Sequence, residues 1–155
     1  MGIPLLESRS IMTESQNGLP IGIAPENPPS PPVPTVYVVD DDDAVRDSLK
    51  VLMGMFGIPV QCFPSAEEFL AVCRTDWIGL LFIDLRMPGM GGFRLIEQLD
   101  YRGSRLPVAV ISGHLDEEQI SESSGSYPVT ILEKPFAVER LKEILRRHFT
   151  NSSLD

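Results

Sequence analysis

Carboxylates, a hydroxyl group and an amine each stand at the end of a different apolar run in this sequence. Four aspartates at positions 40–43 follow VYVV, Asp84 follows LLFI, Ser112 ends VAVIS and Lys134 follows ILE. Clustered carboxylates are typical ligands of Mg²⁺, and a carboxylate such as that of Asp84 can attack phosphorus to form an acyl phosphate. An ammonium group and a metal ion would neutralise the transferred oxygens, and a serine hydroxyl would donate a hydrogen bond to one of them. Brought together, these residues suit metal-dependent phosphoryl transfer.

Each of these features also has an ordinary structural explanation. Acidic residues at a helix start complement the helix dipole, so the aspartates at positions 40–43 could simply begin a helix. A lysine that follows a strand is usually a surface residue, and a pair such as Ser112-Gly113 usually marks a turn. The joint pattern is more specific than its parts, because each polar residue follows a different apolar run.

From residue 35 onward, short apolar runs alternate with segments of helical periodicity, which predicts parallel βαβ units and a doubly wound α/β sheet. The predicted strands cover residues 35–39, 58–63, 78–83, 107–111 and 129–132. Four helices are predicted: the first has Asp43 as its N-cap, the second begins with a capping box formed by Ser65 and Glu68, and the third and fourth cover residues 91–99 and 137–149. Ligands of such sheets bind outside the carboxyl ends of the strands. Parallel strands would therefore gather the polar residues at one edge of the sheet.

Composition divides the 155-residue chain into a leader and one domain with a real core. Residues 1–34 contain eight of the 14 prolines and show no sustained apolar period, which predicts a disordered, Pro-rich leader. A Pro-rich docking segment is the alternative interpretation. The predicted domain covers residues 35–149, and residues 150–155 are expected to form a short tail.

Charge and cysteine content exclude several classes of protein. A formal net charge of -9 disfavours direct binding to nucleic acid or anionic lipid, because phosphate groups attract Lys and Arg. Only two cysteines, Cys62 and Cys73, occur, and they lack metal-ligand spacing. With neither an apolar run of membrane-spanning length nor a secretory signal, the sequence predicts a cytoplasmic protein.

The motifs VYVVDDDDAVRDSL, FIDLRMPGMGG, VAVISGH and ILEKPF resemble those of the receiver domain of bacterial two-component response regulators, in particular its FixJ-type, CheY-like branch. The resemblance covers about residues 35–149. It implies a flavodoxin-like five-stranded parallel sheet of order 2-1-3-4-5. It also implies a role in signal transduction, with no enzymatic activity beyond the domain's own phosphorylation and dephosphorylation.

The resemblance also implies a role for each acidic residue at the strand ends. Asp84 corresponds to the phosphoacceptor of the family and contributes to the Mg²⁺ site. Asp41 corresponds to the acidic Mg²⁺ ligand, Asp40 to a partner that holds the ion through water, and the backbone carbonyl of Arg86 to a third protein ligand.

The remaining motif residues match the switching apparatus of the family. Ser112 corresponds to the switch hydroxyl and Lys134 to the lysine that pairs with the phosphoryl group, and the peptide bond before Pro135 is often cis in family members. The implied partners are a sensor histidine kinase and a downstream protein or output domain, with a phosphorylation-dependent homodimer as a further candidate.

Two departures from the family pattern concern signal output. Receivers usually carry Tyr or Phe three residues before the lysine, where Ile131 stands here. Residues 120–129, ISESSGSYPV, replace the usual AxxxGA and contain poor helix formers. We therefore expect an atypical fourth helix that is short, frayed or displaced.

Three alternative interpretations differ in class. The chain could be a non-switching, receiver-like interaction module, or the receiver part of a FixJ-type transcription regulator whose DNA-binding domain is absent from this sequence. A phosphatase of the haloacid dehalogenase type would need an acid two residues after Asp84, and Arg86 stands there.

Overall fold

The computed structural model describes residues 13–14, 20–21, 32–113 and 117–155. The chain divides into two units, residues 1–31 and 32–155. In the first unit, the short strands Thr13–Glu14 and Pro20–Ile21 pair in antiparallel fashion. Most of the predicted Pro-rich leader lies outside the described residues, and its disorder stays a prediction.

The second unit is built on a sheet of five parallel strands. These are β1 (Thr35–Val39), β2 (Val60–Phe63), β3 (Gly79–Asp84), β4 (Val108–Ser112) and β5 (Val129–Glu133). Their order in the sheet is β2-β1-β3-β4-β5. This order confirms the predicted flavodoxin-like topology 2-1-3-4-5.

Helices follow the strands and cover both faces of the sheet. They are α1 (Asp43–Met55), α2 (Ala66–Val72), α3 (Gly92–Tyr101), α4 (Glu117–Ser124) and α5 (Val138–Arg146). Alternate residues of β1 point to opposite faces, so Val36 and Val38 pack with α1 and α5, whereas Tyr37 and Val39 pack with α2 and α3. Covering on both faces explains why the central strands are almost wholly apolar.

The starts of α1 and α2 refine the predicted caps. The N-cap of α1 is Asp42, whose carboxylate accepts a hydrogen bond from the amide of Ala44 at 2.9 Å, so the prediction of Asp43 is one residue too late. At α2, Ser65 is the N-cap as predicted, and its hydroxyl accepts from the amide of Glu68 at 3.1 Å. The reciprocal bond from the Glu68 carboxylate is absent among the hydrogen bonds of the described residues.

The fourth helix is eight residues long, in agreement with the short helix expected there. It is followed by Gly125, whose φ of 59° is the left-handed conformation common just after helix ends. The buried Tyr127 then donates its hydroxyl to the carbonyl of Leu106 at 2.6 Å, which ties this connection to the start of β4. Fraying of the helix stays a prediction.

The last residues pack against the domain. Ser152–Leu154 form a 3₁₀ turn, and the Leu154 side chain is fully buried in the core shared by α1 and α5. The Asn151 side chain donates to the carbonyl of Phe56 at the end of α1, and Arg146 donates to the carbonyl of Leu154. The segment expected to be a short tail therefore completes the hydrophobic core.

Two smaller expectations can be compared with the described residues. Cys62 and Cys73 are both free and partly buried. Within the described ranges, no helix has both the length and the apolar character needed to cross a bilayer.

Candidate metal centre

Three carboxylates meet at the carboxyl edge of the sheet. Asp40 and Asp41 directly follow β1, and Asp84 is the last residue of β3, the strand beside it. One carboxylate oxygen from each residue lies within 4.8 Å of those of the other two. The parallel register causes this clustering, because Val39 pairs with Ile83 and the next residue of each strand is an aspartate.

Asp40 is the buried member of the cluster, with 1% of its surface exposed. Its Oδ1 accepts a hydrogen bond from the amide of Asp42 at 2.9 Å, whereas its Oδ2 is buried without a hydrogen-bond partner among the described residues. Burial raises the pKa of Asp40 from 3.8 to about 6. The Asp42 amide and the Lys134 ammonium oppose that rise in pKa, and the charges of Asp84 and Asp41 add to it.

The donor set fits a small, hard divalent cation. A buried carboxylate oxygen without a partner is costly, and three converging carboxylate oxygens repel one another unless a cation lies between them. Oxygen ligands supplied by a few carboxylates, with other positions left for water and phosphate, are the usual protein ligands of Mg²⁺. Asp40, Asp41 and Asp84 together meet this requirement.

The loop after Asp84, residues 85–91, brings the backbone of Arg86 next to the Asp84 carboxylate. The amide of Arg86 donates to Asp84 Oδ1 at 3.0 Å. The loop then turns directly into α3, where a Cβ atom on Gly92 would lie 2.9 Å from the carbonyl oxygen of Asp84. Glycine is needed at this position because α3 begins against the backbone at the end of β3.

Ser112 is the last residue of β4, and Lys134 directly follows the neighbouring strand β5. The amide of Lys134 donates to the carbonyl of Ser112 at 2.8 Å, and Ser112 is 3% exposed. The half-buried Lys134 lies close enough to Asp40 for its ammonium group to lower the pKa of that carboxylate. The Lys134-Pro135 peptide bond is cis, as the resemblance implied. The structure thus brings every predicted site residue to the same edge of the sheet.

Two residues near this edge were missed by the sequence analysis. The Arg46 guanidinium donates to the backbone carbonyl of Asp40 and forms an ion pair with Asp43. The i,i+3 spacing of Asp43 and Arg46 was the available signal for that pair. Glu67 of α2 accepts a hydrogen bond from the amide of Met90 at 3.1 Å, and no local pattern predicts a contact across 23 residues.

An apolar groove of about 450 Å³ borders Lys134. Its walls are one face of α1, including Val45, Leu49 and Leu52, and the segment Lys134, Pro135 and Phe136. Val51 and Met55 of the same helix do not line the groove, but they are apolar and are 63% and 70% exposed. An exposed apolar surface of this kind beside a polar site is typical of protein interaction sites.

A family model and curated relatives match most of the chain. The family model for the response regulator receiver domain matches residues 36–146. The response regulator protein TodT of Pseudomonas putida strain F1 is 36% identical over 111 residues, which are 72% of this chain and 49% of TodT. The transcriptional regulatory protein FixJ of Rhizobium meliloti is 39% identical over 118 residues, covering 72% of this chain and 58% of FixJ. The chain thus spans about half the length of these curated relatives.

Solved structures show the same similarity. The crystal structure of FixJ-N aligns with a TM-score of 0.67 at 37% identity and covers 75% of this chain and 93% of that one. The response regulator StyR aligns with a TM-score of 0.69 at 36% identity, covering 74% of this chain and 58% of StyR. Both alignments agree with the five-stranded parallel sheet described above.

Proposed function

The chain belongs to the family of response regulator receiver domains of two-component systems, and we propose that it accepts a phosphoryl group from a sensor histidine kinase onto Asp84. One observation carries the proposal: one carboxylate oxygen from each of Asp40, Asp41 and Asp84 lies within 4.8 Å of those of the other two. Ser112, at the end of β4, and Lys134, directly after β5, stand at the same edge of the sheet.

Mg²⁺ is the proposed cofactor, because receiver domains typically bind it at an acidic cluster of this kind. Asp41, Asp84 and the backbone carbonyl of Arg86 are the proposed protein ligands, and Asp40 is proposed to act through water. When bound, the ion would supply positive charge that neutralises the phosphoryl oxygens. Asp40 Oδ2, which is buried without a hydrogen-bond partner in the part of the chain that the structure describes, supports the place of Asp40 in the ligand set.

In the proposed transfer, a carboxylate oxygen of Asp84 attacks the phosphorus of a kinase phosphohistidine. The phosphorus–nitrogen bond breaks, its electron pair returns to the imidazole, and an acyl phosphate forms on Asp84. The Lys134 ammonium would pair with one phosphoryl oxygen and the Ser112 hydroxyl would donate to another. The Arg86 amide supports this arrangement, because it already orients Asp84 Oδ1 at 3.0 Å.

Phosphorylation is proposed to change the packing of the loop after β4. The new negative charge would draw Ser112 and Lys134 toward it and favour one of two loop packings. Ile131, half-buried against the core of α2, α3 and α4, replaces the aromatic side chain of other receivers. The proposed switch therefore acts without an aromatic side chain at this position.

The groove beside Lys134 supports a helical kinase partner. A kinase helix that packs on Val45, Leu52 and the exposed Met55 would cover apolar surface and bring its phosphohistidine toward the strand ends.

The proposed output is a downstream protein or an attached output domain, and a phosphorylation-dependent homodimer is a further candidate. We propose a cytoplasmic location, without direct binding of nucleic acid or membrane by the part described.

Incubation of the purified protein with acetyl phosphate, with and without Mg²⁺, tests the proposal. We expect a Mg²⁺-dependent phosphoprotein in the wild type and background labelling in Asp84→Asn, because the amide is a poor nucleophile. Asp100→Asn, at the exposed carboxyl-terminal end of α3, is the control and should be labelled normally.

The main rival, a receiver-like module that binds partners without switching, predicts a different result. It would give no Mg²⁺-dependent labelling of the wild type. Labelling of Asp84→Asn at the wild-type rate would refute the assignment of Asp84.

A further inference from the structure

The loop after Asp84 is held by a side chain from a different element. Glu67, in the first turn of α2, accepts a hydrogen bond on Oε2 from the backbone amide of Met90 at 3.1 Å. Helix α2 follows β2 and the loop follows β3, so the parallel sheet brings both to the edge that carries the acidic cluster. The contact therefore links α2 to the segment that contains Arg86.

A glycine makes this approach possible. Gly89 has a φ of +75°, which L side chains rarely adopt, and a Cβ atom at that position would lie 2.8 Å from Glu67 Oε2. Without a side chain at Gly89, the carboxylate can reach the backbone of the loop. The backbone conformation of Gly89 and the position of the Glu67 carboxylate are thus both compatible with glycine at position 89.

At its other end, the same loop is hydrogen-bonded to the side chain of Asp84. The amide of Arg86 donates to Asp84 Oδ1 at 3.0 Å, and Met87 and Met90 pack partly buried against the core of α2 and α3. Between Arg86 and Met90 lie only three residues, including Pro88, whose φ is fixed by its ring. A displacement of Met90 would therefore be transmitted over a short segment to the groups around Asp84.

We propose that Glu67 is a positioning residue for the metal centre. Its carboxylate fixes the loop at Met90, and the loop in turn holds the backbone of Arg86 and the carboxylate of Asp84 in the arrangement that binds the divalent ion. This inference rests on the proposed function, since it assumes that Asp84 and Arg86 contribute to a Mg²⁺ site.

Glu68 provides a matched control for the charge of Glu67. Both glutamates lie in the first turn of α2, are exposed, and complement the positive end of the helix dipole. Among the described residues, the Glu68 side chain has no hydrogen bond. Removing Glu68 therefore removes the same charge from the same helix turn without removing a link to the loop.

The test measures Mg²⁺ binding by isothermal titration calorimetry for the wild type and for Glu67→Ala, Glu67→Gln and Glu68→Ala. We expect Glu67→Ala to weaken Mg²⁺ binding about three- to tenfold, because the variant loses one hydrogen bond that organises the site. Glu67→Gln keeps an acceptor oxygen and should bind within about twofold of the wild type, as should Glu68→Ala. Hydrogen exchange of the Met90 amide should quicken in Glu67→Ala alone.

Three results would overturn the inference. Glu67→Ala could bind Mg²⁺ as tightly as the wild type does, Glu67→Gln could lose as much Mg²⁺ affinity as Glu67→Ala, or Glu68→Ala could lose as much Mg²⁺ affinity as Glu67→Ala. The last two would show that charge, not the hydrogen bond, is responsible. A failure of the proposed function is distinguishable, because the wild type itself would then bind no Mg²⁺ and accept no phosphoryl group. Thermal unfolding of all four proteins reports whether any variant is merely unstable.

Discussion

At the scale of single residues, the buried carboxylate of Asp40 carries an electrostatic cost that bears on function. Its side chain is buried, its Oδ2 has no partner there, and its pKa is raised to about 6. The unfolded chain has the usual pKa of 3.8, so between these two pH values the folded protein binds more protons than the unfolded one. In the absence of divalent metal, this group therefore makes the free energy of unfolding fall as the pH rises through that window.

Asp40→Asn removes this cost, since the amide is neutral and of the same shape. Without divalent metal, we expect the variant to be more stable than the wild type by about 1–3 kcal/mol at pH 7.5. The gain should shrink toward pH 4, where Asp40 is protonated in the wild type. Urea unfolding in EDTA at several pH values measures both effects.

Asp47→Asn is the control for a general loss of negative charge, because Asp47 is exposed on α1. It should change the free energy of unfolding by less than about 0.5 kcal/mol. Equal stabilisation by both variants, or a gain in Asp40→Asn that does not vary with pH, would contradict a buried charged carboxylate at Asp40.

At the scale of elements, α4 combines regular backbone geometry with a sequence that favours helix poorly. Its eight residues, EEQISESS, include three serines, and Gly125 follows directly. Ile120 is its buried apolar anchor. We expect the amides of α4 to exchange faster with solvent than those of α3, whose buried residues include Leu95, Ile96 and Leu99.

Hydrogen exchange followed by NMR checks this expectation. The amides of α3 serve as the internal reference, because that helix packs on the same face of the sheet. Slow exchange throughout α4, comparable to that of α3, would mean that the departure from the usual family sequence has no dynamic effect.

The carboxyl-terminal turn contributes to stability through one apolar side chain. Leu154 is fully buried among residues of α1 and α5, so Leu154→Ala leaves a cavity and should lower the free energy of unfolding by about 2–4 kcal/mol. Ser153→Ala, at an exposed neighbouring position, should have little effect. Urea unfolding gives the comparison, and equal stability of the two variants would show that the turn does not pack in solution.

At the scale of the whole molecule, the sheet could be predicted from the sequence because its signals are local. Apolar runs bounded by helical patterns define each strand, and parallel βαβ connections restrict how such strands can be arranged. The same logic predicted that Asp40, Asp41, Asp84, Ser112 and Lys134 would share one edge. Their approach depends only on which residue follows each strand.

Contacts between distant segments could not be predicted in this way. The Glu67 contact with Met90 depends on how α2 sits above the loop, and the burial of Leu154 depends on the gap that remains between α1 and α5. Neither leaves a periodic signal. The unequal burial of Asp40 and Asp41, which are adjacent in sequence and follow β1, depends on how the surrounding segments pack around each side chain.

Localisation of the phosphoryl group after reaction with acetyl phosphate and Mg²⁺ tests the central claim most directly. Borohydride reduces an aspartyl phosphate to homoserine, and peptide mass spectrometry then identifies the residue that carried it. The account predicts homoserine at position 84, in a Mg²⁺-dependent amount, with Asp40 and Asp41 unmodified. Reduction at another aspartate, or an unmodified Asp84 under conditions that phosphorylate the protein, would contradict it.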